Sequence, residues 1–283
     1  MSNLMRVGSN VQAMEALRQL EKVNMGLGDV QYRLATGKRI NAAQDDTAGY
    51  AIGNLLESRL IGIKQAFKNV GNAQNILNIA QGGFQAQMAI LQDIKAKVGQ
   101  ASDDSIDTTQ RQAIENQVRA LLDELDDIES QTKWNGVSIL DGSGGNFDFQ
   151  VGPDPSDTLS VALGSSDSAS VGIDNISLVI GAGFDLTTSA STAAAAMAKV
   201  DLAIASVASS VQGVGNYLVR LKSKEEALSV SMTNTEAARS RIVDADFAEE
   251  QMELMKLQIL QQTGLSALTA ANSAPQAVLA LFQ

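Results

Sequence analysis

The side chains of this chain that could take part in chemistry are carboxylates and hydroxyls, because its 283 residues include neither cysteine nor histidine. Their absence argues against thiolate nucleophiles, Ser-His-Asp triads, the usual zinc sites and disulfides. The densest carboxylate cluster lies within one predicted helix, at Asp123, Glu124, Asp126, Asp127 and Glu129. Catalysis by carboxylates alone is compatible with this cluster, but a solvated acidic helix face explains it more simply. We therefore expect no enzyme and no bound cofactor or metal.

Hydroxyl side chains are concentrated between residues 156 and 191, in a segment also rich in glycine and aspartate. Ser165, Ser166, Ser168 and Ser170 can accept O-linked glycans if this segment is exposed. A flexible polar loop without any modification is the alternative interpretation, and composition alone does not separate the two.

The strongest structural signal in the sequence is a long stripe of core-type residues with helical spacing. Core-type residues alternate at steps of three and four from 197 to 235, and ten of the twelve are apolar. They are Met197, Val200, Ile204, Val207, Val211, Val214, Leu218, Leu221, Glu225, Leu228, Met232 and Thr235. A sustained heptad pattern requires a partner helix, because one helix alone cannot bury the stripe.

Candidate partner helices precede this stripe. Heptad positions run from Leu56 to Val98 and include Met88 and Lys95. A shorter set runs from Ile114 to Ile128. At about 1.5 Å per residue, the two long helices would each be on the order of 60 Å long. The pattern predicts a mainly α fold, an elongated antiparallel coiled-coil-like helical rod with a small β-hairpin region. Its predicted core residues are Leu56, Ile63, Val70, Leu77, Leu91, Val98, Ile204, Val211, Leu218, Leu221 and Leu228.

The sequence also indicates where helices end and begin. Gly37 is a candidate C-terminal stop, and Asp45 and Asp46 suit the start of the next helix. Alternating residues at 146–151 and 158–163 flank a turn at 152–157, which predicts a hairpin. A further strand-like stretch is 176–180.

Charge and hydropathy exclude several partners. The net charge is −11, without a basic stripe, so nucleic-acid binding is not expected. No span of about 20 apolar residues predicts membrane insertion. Residues 1–19 lack the apolar run and cleavage site of a secretory signal peptide. These features predict a cytoplasmic protein or one exported without a cleaved signal.

Both ends of the chain carry apolar residues that one partner helix cannot cover. The stripe from Leu4 to Leu34 includes consecutive steps of three, so it winds around its helix. Neighbours within the chain or in other subunits would both explain this pattern. An apolar tail at Val278, Leu279, Leu281 and Phe282 makes sense if another chain buries it.

Several motifs closely resemble bacterial flagellin. In the first half these are residues 7–14 (VGSNVQAM) and 34–52 (LATGKRINAAQDDTAGYAI). In the second half they are 238–248 (ARSRIVDADFA), 258–264 (QILQQTG) and 271–279 (ANSAPQAVL). The resemblance covers about 1–142 and 192–283.

The resemblance implies a filament subunit for swimming motility, located outside the cell and exported without a cleaved signal peptide. It implies a terminal domain of 1–42 with 243–283 that lines a channel, a helical rod of 43–141 with 190–242, and an outward-facing variable segment, 142–189. Expected partners are further copies of the chain, the flagellar export apparatus, an export chaperone, and the filament cap and hook-junction proteins. The expected self-assembly residues are Val7, Val11, Met14, Leu17, Leu20, Leu27, Leu34, Ile259, Leu260, Leu268, Val278, Leu279, Leu281 and Phe282.

Two alternatives to a filament subunit stay open at this point. Hook–filament junction proteins have ends that resemble flagellin, although residues 271–279 favour the filament subunit. A cytoplasmic coiled-coil adaptor would also satisfy the heptads. An inserted metallopeptidase, which occurs in some flagellins, would need histidine ligands that this chain lacks.

Overall fold

Helices dominate the computed structural model, which describes residues 10–140, 146–162, 186 and 190–280. Within those residues there are five helices: α1 (Val11–Thr36), α2 (Thr47–Ala101), α3 (Thr108–Gln131), α4 (Ala190–Val243) and α5 (Phe247–Ala280). Two antiparallel strand pairs complete the fold. Strand β1 (Lys133–Trp134) pairs with β2 (Val137–Ser138), and β3 (Asn146–Gln150) pairs with β4 (Thr158–Ala162). The predicted mainly helical class with a small β region is confirmed.

The helix ends follow local signals in the sequence. The Asn10 side chain accepts a hydrogen bond from the backbone N–H of Ala13 at 3.1 Å and so caps α1. Gly37 ends α1 in the left-handed conformation, at a φ of 68°, and its N–H donates to the Arg33 carbonyl. Asp46 Oδ1 accepts from backbone N–H groups in the first turn of α2. The predicted stop at Gly37 and start beside Asp46 are therefore correct.

The chain divides into two compact units. The terminal unit comprises Met1–Leu60 with Thr233–Gln283, and the central unit comprises Ile61–Met232. The sequence-based boundaries at 42 and 243 were drawn from the family resemblance, and they stay a prediction.

The core of the central unit combines residues from α2, α3 and α4. Helices α2 and α4 run antiparallel there, because Gln74 Nε2 donates to Glu225 Oε2 at 2.9 Å while Lys95 Nζ lies 2.6 Å from Asp201 Oδ1. The largest fully buried side chains of this unit are Ile63, Leu77, Phe84, Leu91, Ile94, Leu125, Ile139, Leu140, Leu186 and Leu221. Apolar packing of this kind supplies most of the driving force for folding.

The buried face of α2 differs in detail from the heptad prediction. Gln87 and Ile94 are fully buried, whereas the sequence pattern placed Met88 and Lys95 on the stripe. Lys95 is exposed instead and pairs with Asp201. Because α2 contributes to a core shared with both α3 and α4, its buried face is wider than the stripe that a single partner helix requires.

Most of the predicted rod-core residues belong to this core. Leu56 is half-buried and lies in the terminal unit. In the central unit, Ile63, Val70, Leu77, Leu91, Val98, Leu221 and Leu228 are buried. Ile204, Val211 and Leu218 are half-buried and pack against the same core.

The β3–β4 hairpin packs on helix α2. Asn146 pairs with Ala162 and Gln150 with Thr158, as the sequence pattern predicted. Asn69 Nδ2 on α2 donates to the Gln150 carbonyl at 3.3 Å. Val151, Leu159 and Val161 are buried in the core of the central unit. The predicted strand at 176–180 lies outside the described residues.

A second, shorter hairpin joins α3 to the rest of the central unit. Asn135 and Gly136 both have positive φ, at 52° and 84°, between the paired residues Trp134 and Val137. Asn-Gly is the dipeptide that this type of tight turn favours. This hairpin was not predicted, although Asn135-Gly136 is a local signal for it.

Helix α4 contains a long apolar stretch. By length and composition alone this helix could cross a membrane. Its buried side chains nevertheless belong to the core of the central unit: Ala193, Ala196, Val200, Ala203, Val207, Val214, Leu221 and Leu228. Core packing thus accounts for part of the apolar composition of α4.

Candidate assembly surface

The two terminal helices, α1 and α5, pack against each other within the terminal unit. Asn10 Nδ2 donates to the Ala271 carbonyl at 2.7 Å, and Gln261 Nε2 donates to Asn24 Oδ1 at 2.7 Å. At the other end of the pair, Arg33 Nε lies 2.9 Å from Glu250 Oε1. Early residues of α1 therefore face late residues of α5, so the pair is antiparallel.

A glycine on each helix of this pair faces a leucine of the other helix. A Cβ at Gly264 would lie 3.4 Å from Leu20 Cδ1, and one at Gly26 would lie 3.6 Å from Leu257 Cδ1. The covered face of α1 comprises Ala13, Ala16, Leu20, Val23, Gly26, Leu27, Val30, Arg33 and Leu34, and that of α5 comprises Glu250, Glu253, Leu254, Leu257, Gln261, Gly264, Leu268 and Ala271. Each helix thus covers only one stripe of the other.

Large apolar side chains remain exposed on the other faces of both helices. On α1 they are Val11, Met14, Leu17, Met25 and Tyr32, and on α5 they are Phe247, Met252, Met255, Ile259, Leu260 and Leu265. Ile259 is 67% exposed and Met25 is 63% exposed. Exposed apolar faces of this extent mark surfaces that bind another protein or a membrane. We call these two sets the terminal apolar faces.

The predicted self-assembly residues divide between the covered stripe and these exposed faces. Leu20 is buried, and Leu27, Leu34 and Leu268 are half-buried between α1 and α5. Val11, Met14, Leu17, Ile259 and Leu260 belong to the terminal apolar faces. Val278 and Leu279 fall within the residue range of α5. Val7, Leu281 and Phe282 lie outside the described residues, as do the candidate glycan acceptors Ser165, Ser166, Ser168 and Ser170.

The chain segment that follows α1 and the segment that precedes α5 lie side by side in the terminal unit. Lys38 and Asp244 form a β-bridge, and the N–H of Ala245 donates to the Gly37 carbonyl at 3.0 Å. The N–H of Arg39 donates to the Val243 carbonyl at 2.7 Å. Residues 34–52 and 238–248, which resemble flagellin in sequence, are therefore brought together in space.

An ion-pair cluster stabilises this junction. Arg239 Nη1 lies 2.7 Å from Glu57 Oε2, and Arg239 Nη2 lies 2.8 Å from Glu236 Oε1. The hydrogen bond to Glu236, followed by the charges of Glu236 and Glu57, raises the pKa of the Arg239 guanidinium against the opposing effect of burial. A cleft of about 350 Å³ beside it is lined by residues that include Lys38, Tyr50 and Asn54. The guanidinium stays charged at every physiological pH, so its ion pairs with Glu57 and Glu236 persist throughout that range.

The acidic residues of α3 lie apart from this ion-pair cluster in the sequence. Asp123, Glu124, Asp126 and Asp127 are exposed on α3, which confirms a solvated acidic face, whereas Glu129 is buried. The described residues contain no group of three or more carboxylates arranged to hold a metal ion.

Comparisons with known proteins agree with the sequence motifs. Residues 7–144 match the bacterial flagellin N-terminal helical region, and residues 197–282 match the bacterial flagellin C-terminal helical region. Flagellin of Bacillus subtilis is 32% identical over 304 residues, covering 99% of this chain and 100% of that protein. Flagellin FlaB1 of Treponema pallidum is 28% identical, with coverages of 99% and 100%.

A solved structure shares the fold. A chain described as a flagellar hook-associated protein from Vibrio parahaemolyticus aligns with a TM-score of 0.57 and 13% identity, over 71% of this chain and 100% of that one. At this identity the likeness concerns fold alone and does not favour a junction protein. Full-length relatives are flagellins and filament core proteins, so neither the junction protein nor the coiled-coil adaptor is favoured. The chain belongs to the bacterial flagellin family and is a structural subunit of the flagellar filament.

Proposed function

We propose that subunits of this flagellin polymerise through the terminal apolar faces. In this proposal the α1–α5 pair, within residues 1–42 and 243–283, lines the filament channel, and the helical rod, 43–141 with 190–242, packs against neighbouring rods. The segment 142–189 faces outward. The observation that carries the proposal is the exposure of large apolar side chains on both terminal helices of an already paired unit.

Magnitudes support the terminal faces as the driving surface. Fully burying one leucine, isoleucine or methionine side chain contributes about 1.5–3 kcal/mol. The described part of the two faces carries eleven large apolar side chains. Even partial burial of this set in a neighbour would offset the loss of translational and rotational freedom on association, which costs about 4–15 kcal/mol. Packing, rather than catalysis, is then the mechanism, as expected for a structural family.

The central unit offers further apolar contacts for rod packing. Leu202, Val219 and Val230 on α4 are each more than 60% exposed. Val219 and Val230 are about three helical turns apart and share one face of the helix. We assign these residues to contacts between neighbouring rods.

An aspartate scan of two adjacent positions on α5 tests the proposal. Ile259→Asp places a charge on the exposed apolar face, and Gln258→Asp makes the same charge change at an exposed polar position. Neither substitution removes a contact of the α1–α5 pair. We expect Ile259→Asp to abolish seeded polymerisation, measured by sedimentation, and Gln258→Asp to polymerise. Equal polymerisation of both variants would contradict the assignment of this face.

Partners beyond the chain itself follow from membership of the family. We propose export without a cleaved signal peptide through the flagellar export apparatus, with an export chaperone, and contacts with the filament cap and hook-junction proteins.

Ser165, Ser166, Ser168 and Ser170 stay predicted glycan acceptors on the filament exterior. Intact-mass measurement on native filaments tests this last prediction, because each glycan adds mass to the chain.

A further inference from the structure

Methionines are unevenly distributed between exposed and covered positions. The chain contains nine, of which seven lie in described residues. Met14, Met25, Met252 and Met255 are all exposed, by 57%, 63%, 61% and 55%. The other three described methionines, Met88, Met197 and Met232, are half-buried against the core of the central unit.

All four exposed methionines belong to the terminal apolar faces. Met14 and Met25 are separated by about three turns and so share one side of α1, while Met252 and Met255 are one turn apart on α5. None lies on the covered stripe between the two helices, where the corresponding positions are residues such as Leu20, Leu257 and Gly264. Their thioethers are therefore open to solvent in the unassembled chain.

A solvent-exposed thioether is oxidised by hydroperoxides. The sulfur attacks the distal peroxide oxygen, the O–O bond breaks and an S–O bond forms, and the proton of the transferred oxygen passes to the departing oxygen. The sulfur loses two electrons, and the hydroperoxide is reduced to an alcohol, or to water when hydrogen peroxide is the oxidant. The product, methionine sulfoxide, is polar and chiral, and its formation disrupts apolar interfaces.

We propose that Met14, Met25, Met252 and Met255 are oxidation sites that control whether a subunit can polymerise. The inference rests on the proposed function, because it requires the terminal apolar faces to be buried between subunits. Sulfoxides at these positions would have to lose their water without a hydrogen-bond partner, which disfavours assembly. Subunits already in a filament are protected, since their thioethers are covered.

The expected effect is large enough to measure. Oxidation of the free subunit raises the critical concentration for seeded polymerisation by about tenfold or more, since several buried apolar groups become polar. In filaments, the same four sites acquire sulfoxide several-fold more slowly than in free subunits. Enzymatic reduction of the sulfoxides restores polymerisation.

Two sets of substitutions separate these methionines from the rest of the chain. The full-length terminal variant carries Leu in place of Met14, Met25, Met252 and Met255. The full-length core variant carries Leu in place of Met88, Met197 and Met232. Each variant and the wild type are treated with hydrogen peroxide, mapped by peptide mass spectrometry, and polymerised on short filament seeds.

Peroxide treatment should prevent polymerisation of the wild type and the core variant, whereas the terminal variant should polymerise equally well before and after treatment. Polymerisation of a wild type that carries sulfoxide at the four sites would overturn the inference, as would loss of polymerisation in the treated terminal variant. If the untreated terminal variant fails to assemble, the oxidised wild type is treated with a methionine sulfoxide reductase instead. Failure of the reduced protein to polymerise would then overturn the inference. Failure of the untreated wild type would instead contradict the proposed function.

Discussion

Gln87 is the least satisfied buried side chain of the central unit. It is fully buried on α2, and neither its Oε1 nor its Nε2 has a hydrogen-bond partner among the described residues. An unpaired buried amide is destabilising by about 1–3 kcal/mol. We expect Gln87→Met, which keeps the length of the side chain and removes its polar atoms, to raise the free energy of unfolding by about that amount in chemical denaturation.

A matched control for this substitution is Gln92→Met on the same helix. Gln92 is exposed, so its replacement should change stability by less than about 0.5 kcal/mol. A lower unfolding midpoint for Gln87→Met would show that the amide makes a stabilising contact.

Asp45 makes the stability of the segment between α1 and α2 depend on pH. Hydrogen bonds from the N–H groups of Ala42 and Asn41 to its carboxylate lower the pKa of Asp45 from 3.8. Because the folded pKa lies below the unfolded value, its stabilising contribution is present above pH 3.8 and is lost as the pH falls through the folded pKa. Wild type should exceed Asp45→Asn in unfolding midpoint near neutral pH, with the difference closing in acid. A difference that is constant across this range would contradict the assignment.

At the scale of elements, two neighbouring glycines in α2 should respond oppositely to alanine. Helix α2 continues without a break through Gly82 and Gly83. A Cβ at Gly82 meets nothing within 4 Å, whereas one at Gly83 would lie 2.6 Å from Leu140 Cδ1 and 2.9 Å from Thr132 Oγ1. Gly82→Ala should therefore stabilise by about 1 kcal/mol through helix propensity.

Gly83→Ala should destabilise instead. Fitting a methyl group at Gly83 requires the side chains of Leu140 and Thr132 to shift, and overpacking of this kind costs about 1–3 kcal/mol, which exceeds the gain in propensity. Thermal unfolding of the two variants side by side measures the difference. Equal stabilisation by both would mean that Gly83 is not required for close packing.

Most elements were predictable because their signals are local and repeated. The heptads of α2, α3 and α4 remain recognisable with up to three polar positions in one helix. Gly37 and Asp46 mark helix ends by their own conformations and hydrogen bonds. The covered stripe of α5 was not recognised, because Glu250, Gln261 and Gly264 occupy positions where a heptad pattern expects apolar residues. Their partners, Arg33, Asn24 and Leu20, are distant in sequence, so only the folded structure identifies the stripe.

The assembly surface was predictable only in part. The winding stripe of α1 indicated more than one neighbour, but not which residues the first neighbour covers. Leu20 and Leu17 are indistinguishable in type, yet one is buried against α5 and the other is 46% exposed. The same limitation explains why Gln87 was not expected in the core: its burial depends on the packing of three helices rather than on its own character.

At the scale of the whole molecule, the central unit should fold without the terminal helices. Its core draws only on residues from 63 to 228, so deleting 1–34 or 250–283 removes none of it. We expect either deletion to abolish polymerisation while circular dichroism still shows a cooperative helical transition. Loss of that transition would mean that the terminal helices are required for folding, and a deletion that still polymerises would contradict the role of α1 and α5.

Seeded polymerisation of the purified full-length chain, followed by electron microscopy, tests most directly whether the terminal apolar faces build a filament. Long tubes with a central channel, and density for the α1–α5 pair around that channel, are the predicted result. Persistent monomers in the presence of seeds, with folded helices by circular dichroism, would contradict it.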